Sequence, residues 1–315
     1  MAHSLASGLI LMNSMLPFVS VIVPVLNGER TIKECLDSLI AMDYPSERRE
    51  ILVIDNGSTD KTAKIVEQYP VRRVVENRQG LSYARNCGID ACHRQILAFT
   101  DADCVVTTGW LRELVQGFDS KGVGVVVGEV VSFPPQTPAE RYTAIRKPRW
   151  QTRSITYPGK PWFLSGCAAF RREVFKEIGY FDTRFAGVGC EDIDFSWRFF
   201  ESNIFKLKYR SKAMVFHRHR LSARGLFKQY FRYGQGQNLL KRKHPHIIKW
   251  GLRQEVGAYL DLILTALTLG RSAIRSIQDG QEKKMTEFDY QYFELIRKLS
   301  ERIGFTYGAL RRFTT

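Results

Sequence analysis

Acidic residues are missing from one long stretch of this chain. Between Ser202 and Gln254 there is no Asp or Glu, yet there are fourteen Lys and Arg. Nearly all of the formal net charge of +15 therefore sits in that block. A block of this kind predicts an anionic partner, whether a diphosphate, a lipid headgroup or nucleic acid; the alternative is a solvated basic face. Cysteine pairing is also missing. Cys35, Cys87, Cys92, Cys104, Cys167 and Cys190 form no C-x-x-C and show no regular spacing, which excludes a disulfide framework and predicts a reducing compartment. The apolar N-terminal run from Leu5 to Leu16 has no Lys or Arg before it and no small-residue cleavage pattern, unlike a signal peptide. The run from Val256 to Leu269 is interrupted by Asp261 and is too short to cross a bilayer. Together these absences predict a soluble or membrane-peripheral protein of the cytoplasm. Low-complexity tracts and internal repeats are absent as well.

What is present is a chain of 315 residues, 44% hydrophobic and 25% charged, an ordinary globular composition. That length suits one domain of about 220 to 240 residues plus an appendage. Phe18 to Val25 (FVSVIVPV) and Glu50 to Asp55 (EILVID) are near-continuous apolar runs, as expected of strands buried on both faces. Ile96 to Thr100 (ILAFT) is another, and Val71 to Val75 a shorter one. Helical spacing separates them: Ile32, Cys35, Leu36, Leu39 and Ile40, then Ala63, Ile65, Val66 and Tyr69 behind a cap at Ser58, then Leu81 to Cys92. A helix from Trp110 to Phe118 and a Val-rich strand from Gly122 to Phe133 follow. The alternation predicts βαβ units and a parallel sheet covered on both sides. Six prolines between Pro134 and Pro161 predict a loop-rich segment. Beyond it come a strand at Gly166 to Phe170, a helix from Arg171 to Ile178, an acidic helix near Glu191, and strand pieces at Phe205 to Tyr209 and Ala213 to His217. After about residue 236 the chain reads as helical, with apolar stripes at Val256, Leu260, Ile263, Leu264 and Leu267, and at Phe288, Leu295, Leu299 and Ile303.

In an open α/β sheet, ligands sit beyond the carboxyl ends of the strands. Three polar clusters fall there: Asn27 to Arg30, Asp55 to Asp60, and Asp101 to Asp103. Asp101-Ala102-Asp103 puts two carboxylates on one short turn. Such hard oxygen ligands suit Mg²⁺ or Mn²⁺, which would neutralise a substrate diphosphate. Asp55, at a strand end, is open to hydrogen bonds from a base or ribose, and Gly57 lets the backbone approach a ligand closely.

The order of the motifs is more telling than any one of them. Pro24-Val25-Leu26-Asn27-Gly28-Glu29 comes first, then Asp55-Asn56-Gly57-Ser58-Thr59-Asp60, then GLSYARN from Gly80 to Asn86. Asp101-Ala102-Asp103 and Gly189-Cys190-Glu191-Asp192-Ile193-Asp194 complete the series. Over roughly residues 18 to 235 the chain resembles the family-2 glycosyltransferases, which are inverting and have the GT-A fold. The resemblance implies an α/β nucleotide-diphospho-sugar transferase fold, with a mainly parallel central sheet flanked by helices. Residues 1–17 would be an N-terminal extension, 18–235 the transferase domain and 236–315 a C-terminal helical region.

It also implies roles. Pro24, Val25, Asn27, Glu29, Gly57 and Ala102 would line the nucleotide-sugar site, with Asp55 on a uracil-type base or ribose and Arg85 near the base and diphosphate. Asp101 would serve the ribose or the metal's water, and Asp103 the divalent metal itself, Mn²⁺ or Mg²⁺. His217, ending the run AMVFH, would be a further metal ligand. Asp192 would be the general base and Glu191 would orient a substrate. Inversion by single displacement needs such a base, because the attacking hydroxyl loses its proton as it bonds. On a helix Glu191 and Asp194 share a face and Asp192 does not; any of the three acids could face the cleft. Gln229-Tyr230-Phe231-Arg232-Tyr233 is similar to the Gln-x-x-Arg-Trp motif of processive synthases, which makes Arg232 a phosphate contact. Tyr233-Gly234-Gln235-Gly236 suits a mobile loop over the donor. Ser165, Gly166 and Trp162 would lie on the acceptor side, where Trp162 stacks on a sugar or simply packs in the core.

The expected reaction moves a sugar from a nucleoside-diphosphate donor, UDP-linked by preference, to a hydroxyl of a saccharide or lipid-linked acceptor in surface polysaccharide or glycolipid synthesis. A nucleotidyltransferase is the first rival, but the loop PVLNGER has little of the glycine usual in a triphosphate loop. A nucleic-acid-binding protein is the second, but no zinc-finger, RNP-type or helix-turn-helix signature accompanies the basic block. A binding module without catalysis is a third; against it, every acid the resemblance asks for is present. The basic block and the two C-terminal stripes predict docking to an anionic membrane face, against the rival that these helices pack on the transferase domain or form a dimer interface.

Overall fold

A computed structural model describes residues 16–147, 149–279 and 286–310. The expected extension, 1–17, lies almost wholly outside the described residues. The described chain forms two compact units. One runs up to Val130 and takes in Trp150–Phe181 and Phe195–Phe216; the other takes in Val131–Arg149, Asp182–Asp194 and the chain from His217 onward.

The first unit is built on the apolar runs. β1 (Val19–Val25) is buried at every position. It pairs in parallel with β2 (Arg49–Asp55) on one side and β4 (Ile96–Thr100) on the other, while β3 (Arg72–Val75) pairs in parallel with β2. Helices α1 (Ile32–Ile40), α2 (Thr62–Val66) and α3 (Leu81–Ala91) make the crossovers. Register then sets the functional geometry. Val25 lies beside Asp55, and Ile22 beside Phe99. The loops after β1, β2 and β4 are thus brought to one edge of the sheet, as the strand-end argument requires.

The other half of the sheet runs differently. Its remaining strands are β5 (Cys104–Val106), β6 (Val123–Ser132), β7 (Cys167–Arg171) and β8 (Lys206–His217), and the full order is β3-β2-β1-β4-β7-β6-β8-β5. β7 is antiparallel to both β4 and β6. The sheet is therefore parallel in its first half and mixed overall. The two strand pieces read at Phe205 and Ala213 are one strand, β8. One core, from Val19 to Val215, holds α1 and α4 (Trp110–Gln116) against the sheet. The other core is a cluster of phenylalanines, in which Phe99, Phe170, Phe175, Phe181 and Phe195 meet at 4.8–6.2 Å. α7 (Arg172–Ile178) supplies Phe175.

The segment read as loop contains two helices, α5 (Pro138–Arg146) and α6 (Trp150–Ile155). α5 starts with a complete capping box: the Glu140 amide donates to Thr137, and Glu140 accepts from the Thr137 amide, with Pro138 at the first helical position. Ser58 does not cap α2; the Thr62 amide donates to Asp60 Oδ1 at 3.0 Å instead.

The second unit is helical. α8 (Glu191–Ser202) enters it at its acidic end. α9 (Ala223–Lys243) runs unbroken through residues 235 and 236, starting thirteen residues before the point at which the sequence reads as helical. α10 (Leu252–Asp279) and α11 (Glu287–Leu310) follow. α11 packs on α9 through small residues: a Cβ on Gly304 would lie 2.0 Å from the Phe231 carbonyl oxygen, and one on Gly234 2.1 Å from that of Glu301. The α11 side chains that turn inward are Phe293, Ser300 and Phe305 rather than the predicted stripe, in which Leu299 and Ile303 are exposed. Tyr142, Leu226, Tyr230 and Phe293 form the unit's small core. Among the described residues no helix is long and apolar enough to cross a membrane.

Candidate active site

In the first unit, the loops after β1 and β2 are fastened together. The Asn27 amide donates to Ser58 Oγ (2.9 Å), and Asn27 Oδ1 accepts from the Thr59 amide (2.8 Å). The Gly28 amide donates to Thr62 Oγ1 (2.8 Å), the Glu29 amide to Asp60 Oδ2 (3.0 Å), and Glu29 Oε2 accepts from the Lys61 amide (3.2 Å). Asn27 adopts φ +51° and Gly57 φ +81°, so the tight reversals at both strand ends use left-handed backbone. The side chains of Pro24 and Val25 are buried in β1. A nucleotide there would meet their backbone, and would meet the side chains only of the loop beyond.

Asp55 is buried and engaged within the fold rather than standing open: Oδ2 accepts from Arg73 Nε (3.0 Å) and Nη2 (2.6 Å), and Oδ1 from the Ser58 amide (2.9 Å). Burial raises its carboxyl pKa, but the Arg73 and Ser58 hydrogen bonds outweigh burial and hold it below the ordinary value. Its neighbour Asn56 organises the approach to α3. The Asn56 side-chain amide donates to the Glu76 and Arg78 carbonyls at 2.9 and 2.8 Å, and its oxygen accepts from the Gly80 amide at 2.6 Å. The only advance signal for this was its place in the turn, since its partners lie about twenty residues on.

Arg85, on α3, is buried beneath Asp101. Its Nη2 lies 3.3 Å from Asp101 Oδ1, and its guanidinium carbon 5.4 Å from the centre of the Phe181 ring. Asp101 keeps 30% of its side-chain surface exposed. On its other side stands Gly166. Thr100 pairs with Cys167 across β4 and β7, which brings Gly166 to the level of Asp101; a Cβ there would lie 2.5 Å from Asp101 Oδ2. The structure thus ties Arg85, Asp101 and Gly166 together. Ala102 is buried and Asp103 partly exposed. The nearby Cys35 thiol pKa is pushed far up, first by burial and then by the charges of Asp103 and Asp101. A pair of short carboxylates with accessible oxygens on one turn fits a hard divalent cation by the chemistry of its donors. Ser165 is fully buried, and Trp162, partly exposed, stands edge-on to Trp150 at 6.4 Å.

In the second unit, the three acids of α8 separate. Glu191 and Asp194 are buried and Asp192 is partly exposed, as the helical phase requires. Asp194 is a clamp: Oδ1 accepts from His244 Nε2 (2.9 Å) and Lys243 Nζ (2.7 Å), and Lys243 also reaches Asp182 at 2.6 Å. The turn before α8 holds Gly189 at φ +79° and Cys190 at φ +71°, a strained setting for a residue with a Cβ. α9 packs tightly on this turn, where a Cβ at Gly236 would lie 2.5 Å from the Gly189 carbonyl oxygen. Tyr233-Gly234-Gln235-Gly236 is therefore not a mobile loop. Its glycines are helical residues that admit the Glu301 and Gly189 carbonyls.

Tyr233 is ordered further by Gln229 Nε2, which donates to its hydroxyl at 3.2 Å. Lys147 Nζ lies 5.7–5.8 Å from the Tyr230 and Tyr233 rings. Burial, followed by the charge of Arg146, lowers the Lys147 pKa to about 7. Arg232 is exposed on α9. His217 ends β8 with its Nδ1 3.3 Å from that of His219, whose Nε2 meets Ser132 Oγ at 2.7 Å. Burial, then the charges of His217, Lys147 and Arg220, lowers the His219 pKa to about 3.

Comparison with known proteins places this geometry. Residues 20–179 match the profile of Glycosyl transferase family 2. Glycosyltransferase AglE of Haloferax volcanii is 33% identical over 234 residues, which are 72% of this chain and 75% of that protein. Among solved structures, a mannosyltransferase from Pyrobaculum calidifontis in complex with GDP-Man and Mn²⁺ superposes with a TM-score of 0.55 at 22% identity, covering 95% of this chain and 74% of that one. GalNAc-T7 with UDP, GalNAc and Mn²⁺ superposes at 0.50 and 19%, covering 75% and 52%. Both neighbours have the GT-A architecture seen here.

Proposed function

The chain belongs to glycosyl transferase family 2 and is a glycosyltransferase with the GT-A fold, and on that premise we propose that it inverts a sugar from a nucleoside-diphosphate donor onto a hydroxyl of a saccharide or lipid-linked acceptor in surface polysaccharide or glycolipid synthesis. The observation that carries this reading is the Asp101-Ala102-Asp103 turn at the carboxyl end of β4, with Asp101 held between Arg85 and Gly166. A pinned carboxylate is what a donor site needs, because the diphosphate must be met at a fixed point.

The residues then take roles. The loop Asn27 to Glu29 and the turn at Gly57 line the nucleoside. Arg85 fixes Asp101 on the ribose side. Asp103, with Asp101, would hold a divalent cation, Mn²⁺ or Mg²⁺, which when bound supplies neutralising charge to the diphosphate. His217 would be a further ligand of that cation, and Arg232 a contact to phosphate. Asp192, the partly exposed acid of its motif, takes the proton of the acceptor hydroxyl as that oxygen attacks the anomeric carbon and the nucleoside diphosphate leaves. Glu191 orients a substrate, and Gly166 and Trp162 face the acceptor. Asp55 serves as a loop anchor in place of a base contact. UDP-sugars are the first donors to test. The two solved neighbours carry GDP-Man and UDP, and both nucleotides therefore enter the experiment.

Calorimetric titration of UDP and GDP, each with and without Mn²⁺, on wild type and Asp103→Ala decides the matter. Metal-dependent binding of one nucleotide, lost in the variant, is expected. No binding of either under any condition would overturn the donor assignment.

A further inference from the structure

Helix α10 is amphipathic the wrong way round for a helix packed on a protein. The side that meets α11 is mixed, with Ala258, Leu262 and Leu269 partly buried among polar groups. Glu255 pairs with Arg302, Asp261 takes Lys298 Nζ at 2.7 Å, and Thr265, almost fully buried, takes the same ammonium at 2.8 Å. The opposite side is apolar and bare. Leu252 is 80% exposed, and Val256, Leu260, Ile263, Leu264 and Leu267 are each about half exposed or more. At 100° per residue these positions centre opposite Thr265. A stripe of this size left in water marks a surface with a further partner.

Charge identifies the partner. In the described part of α10 the acids Glu255 and Asp261 both pair with α11, and Asp261, 60% exposed, is neutralised by Lys298. The exposed charges flanking the stripe are Arg253 and Arg271, about 27 Å apart at 1.5 Å per residue and, five turns on, in line with each other. An apolar stripe some six residues strong, edged by cations and without an acid, is the pattern of a helix lying in the headgroup layer of an anionic bilayer. A second copy of the chain fits worse. Antiparallel packing of two stripes sets Arg253 against Arg271, and parallel packing sets each Arg against its own twin, so cation meets cation either way. Crossing the bilayer is excluded for α10 by its ion-paired side and by its hydropathy.

We propose that the outer face of α10, from Leu252 to Leu267, docks in the plane of an anionic lipid surface. This stands apart from the catalytic reading and survives its failure. The test is co-sedimentation of the full chain with vesicles of phosphatidylglycerol and phosphatidylcholine (1:1) and with phosphatidylcholine alone, alongside light scattering without lipid. Wild type should partition at least tenfold more strongly onto the anionic vesicles. Ile263→Glu/Leu267→Glu, at exposed positions turned away from α11, should lose tenfold or more of that binding with an unchanged thermal midpoint. Arg253→Gln/Arg271→Gln should weaken binding severalfold on anionic vesicles only. Equal partition onto both lipids, undiminished binding by the Glu variant, or a lipid-free dimer that the Glu variant dissociates would each overturn the proposal.

Discussion

Gly166→Ala puts the donor site to its sharpest test. The added methyl would lie 2.5 Å from Asp101 Oδ2 and 3.1 Å from its Cγ. A carbon and an oxygen rest roughly 0.8 Å farther apart than the first of these distances, near the 3.3 Å minimum seen for close C···O contacts. Gly166 precedes a strand hydrogen-bonded on both sides, so the backbone cannot retreat cheaply. Asp101 can, because its side chain is 30% exposed. Swinging away breaks its 3.3 Å contact with Arg85, whose guanidinium is buried. Removing a hydrogen bond to a charged group costs roughly 1.5–3 kcal/mol. If Asp101 meets the donor, nucleotide affinity falls by about the same free energy, or roughly 10- to 100-fold at 1.4 kcal/mol per decade. The fold loses the same contact and keeps the Arg85 guanidinium buried, so it too weakens by roughly 1.5–3 kcal/mol, and each 1 kcal/mol lowers the melting midpoint of a domain this size by about 2–4 °C. Calorimetry with nucleotide and Mn²⁺, beside a thermal melt, reads both quantities. An affinity within twofold of wild type would refute the reasoning, since the substitution must displace the carboxylate if the contact is real.

The acids of α8 should part company on mutation. Asp192→Asn is expected to lower the transfer rate at least 100-fold with nucleotide affinity unchanged, checked by product formation against calorimetry. Asp194→Asn should instead weaken the fold by roughly 3 kcal/mol, as for a broken buried ion pair, read by urea unfolding. Acid stability should follow Asp55. Its folded pKa lies below the unfolded value, so its contribution is complete above about pH 4 and is lost as pH falls through the folded value. Asp55→Asn should therefore be less stable than wild type at pH 7, with the gap closing below pH 4 in a melting series. A constant gap across that range would remove Asp55 from the acid transition.

The half of the fold that carries the donor loops was legible because parallel strands buried on both faces read as unbroken apolar runs. β1, β2 and β4 fall within a residue of expectation, and so the acids beyond them do too. Direction was not legible in β6 and β7, since a strand buried on both faces reads the same either way. α5 carries a readable signal: Thr137-Pro138-Ala139-Glu140 is a capping box with Pro at the first turn, set among prolines that by themselves predict loop. The Asp55 to Arg73 pair could not be read, because it depends on β2 lying beside β3 with Val53 opposite Arg73, which puts Asp55 and Arg73 on one face. Family resemblance pointed to a ligand contact for Asp55, and the structure shows its carboxylate already taken.

Helical periodicity has a blind spot of a different kind, and it falls on both C-terminal surfaces. A 100° pattern shows that a helix has two faces; it does not show which one turns inward. For α9, the Tyr-Gly-Gln-Gly run reads locally as flexible, yet glycine is required where the Glu301 and Gly189 carbonyls come within about 2.5 Å of its would-be Cβ positions. Tertiary contact overrides propensity there. For α10, the leucine stripe is legible in the sequence, which leaves open whether it meets a membrane face or packs on the protein. The side that turns inward is the other one: Glu255, Asp261 and Thr265 meet Arg302 and Lys298 on α11. The inward side of α10 is thus held by ion pairs that would be worth little in open water and more where burial reduces screening. The leucine stripe turns outward because the side with ion-pair partners turns inward, and that ordering is what leaves an exposed apolar surface on this chain.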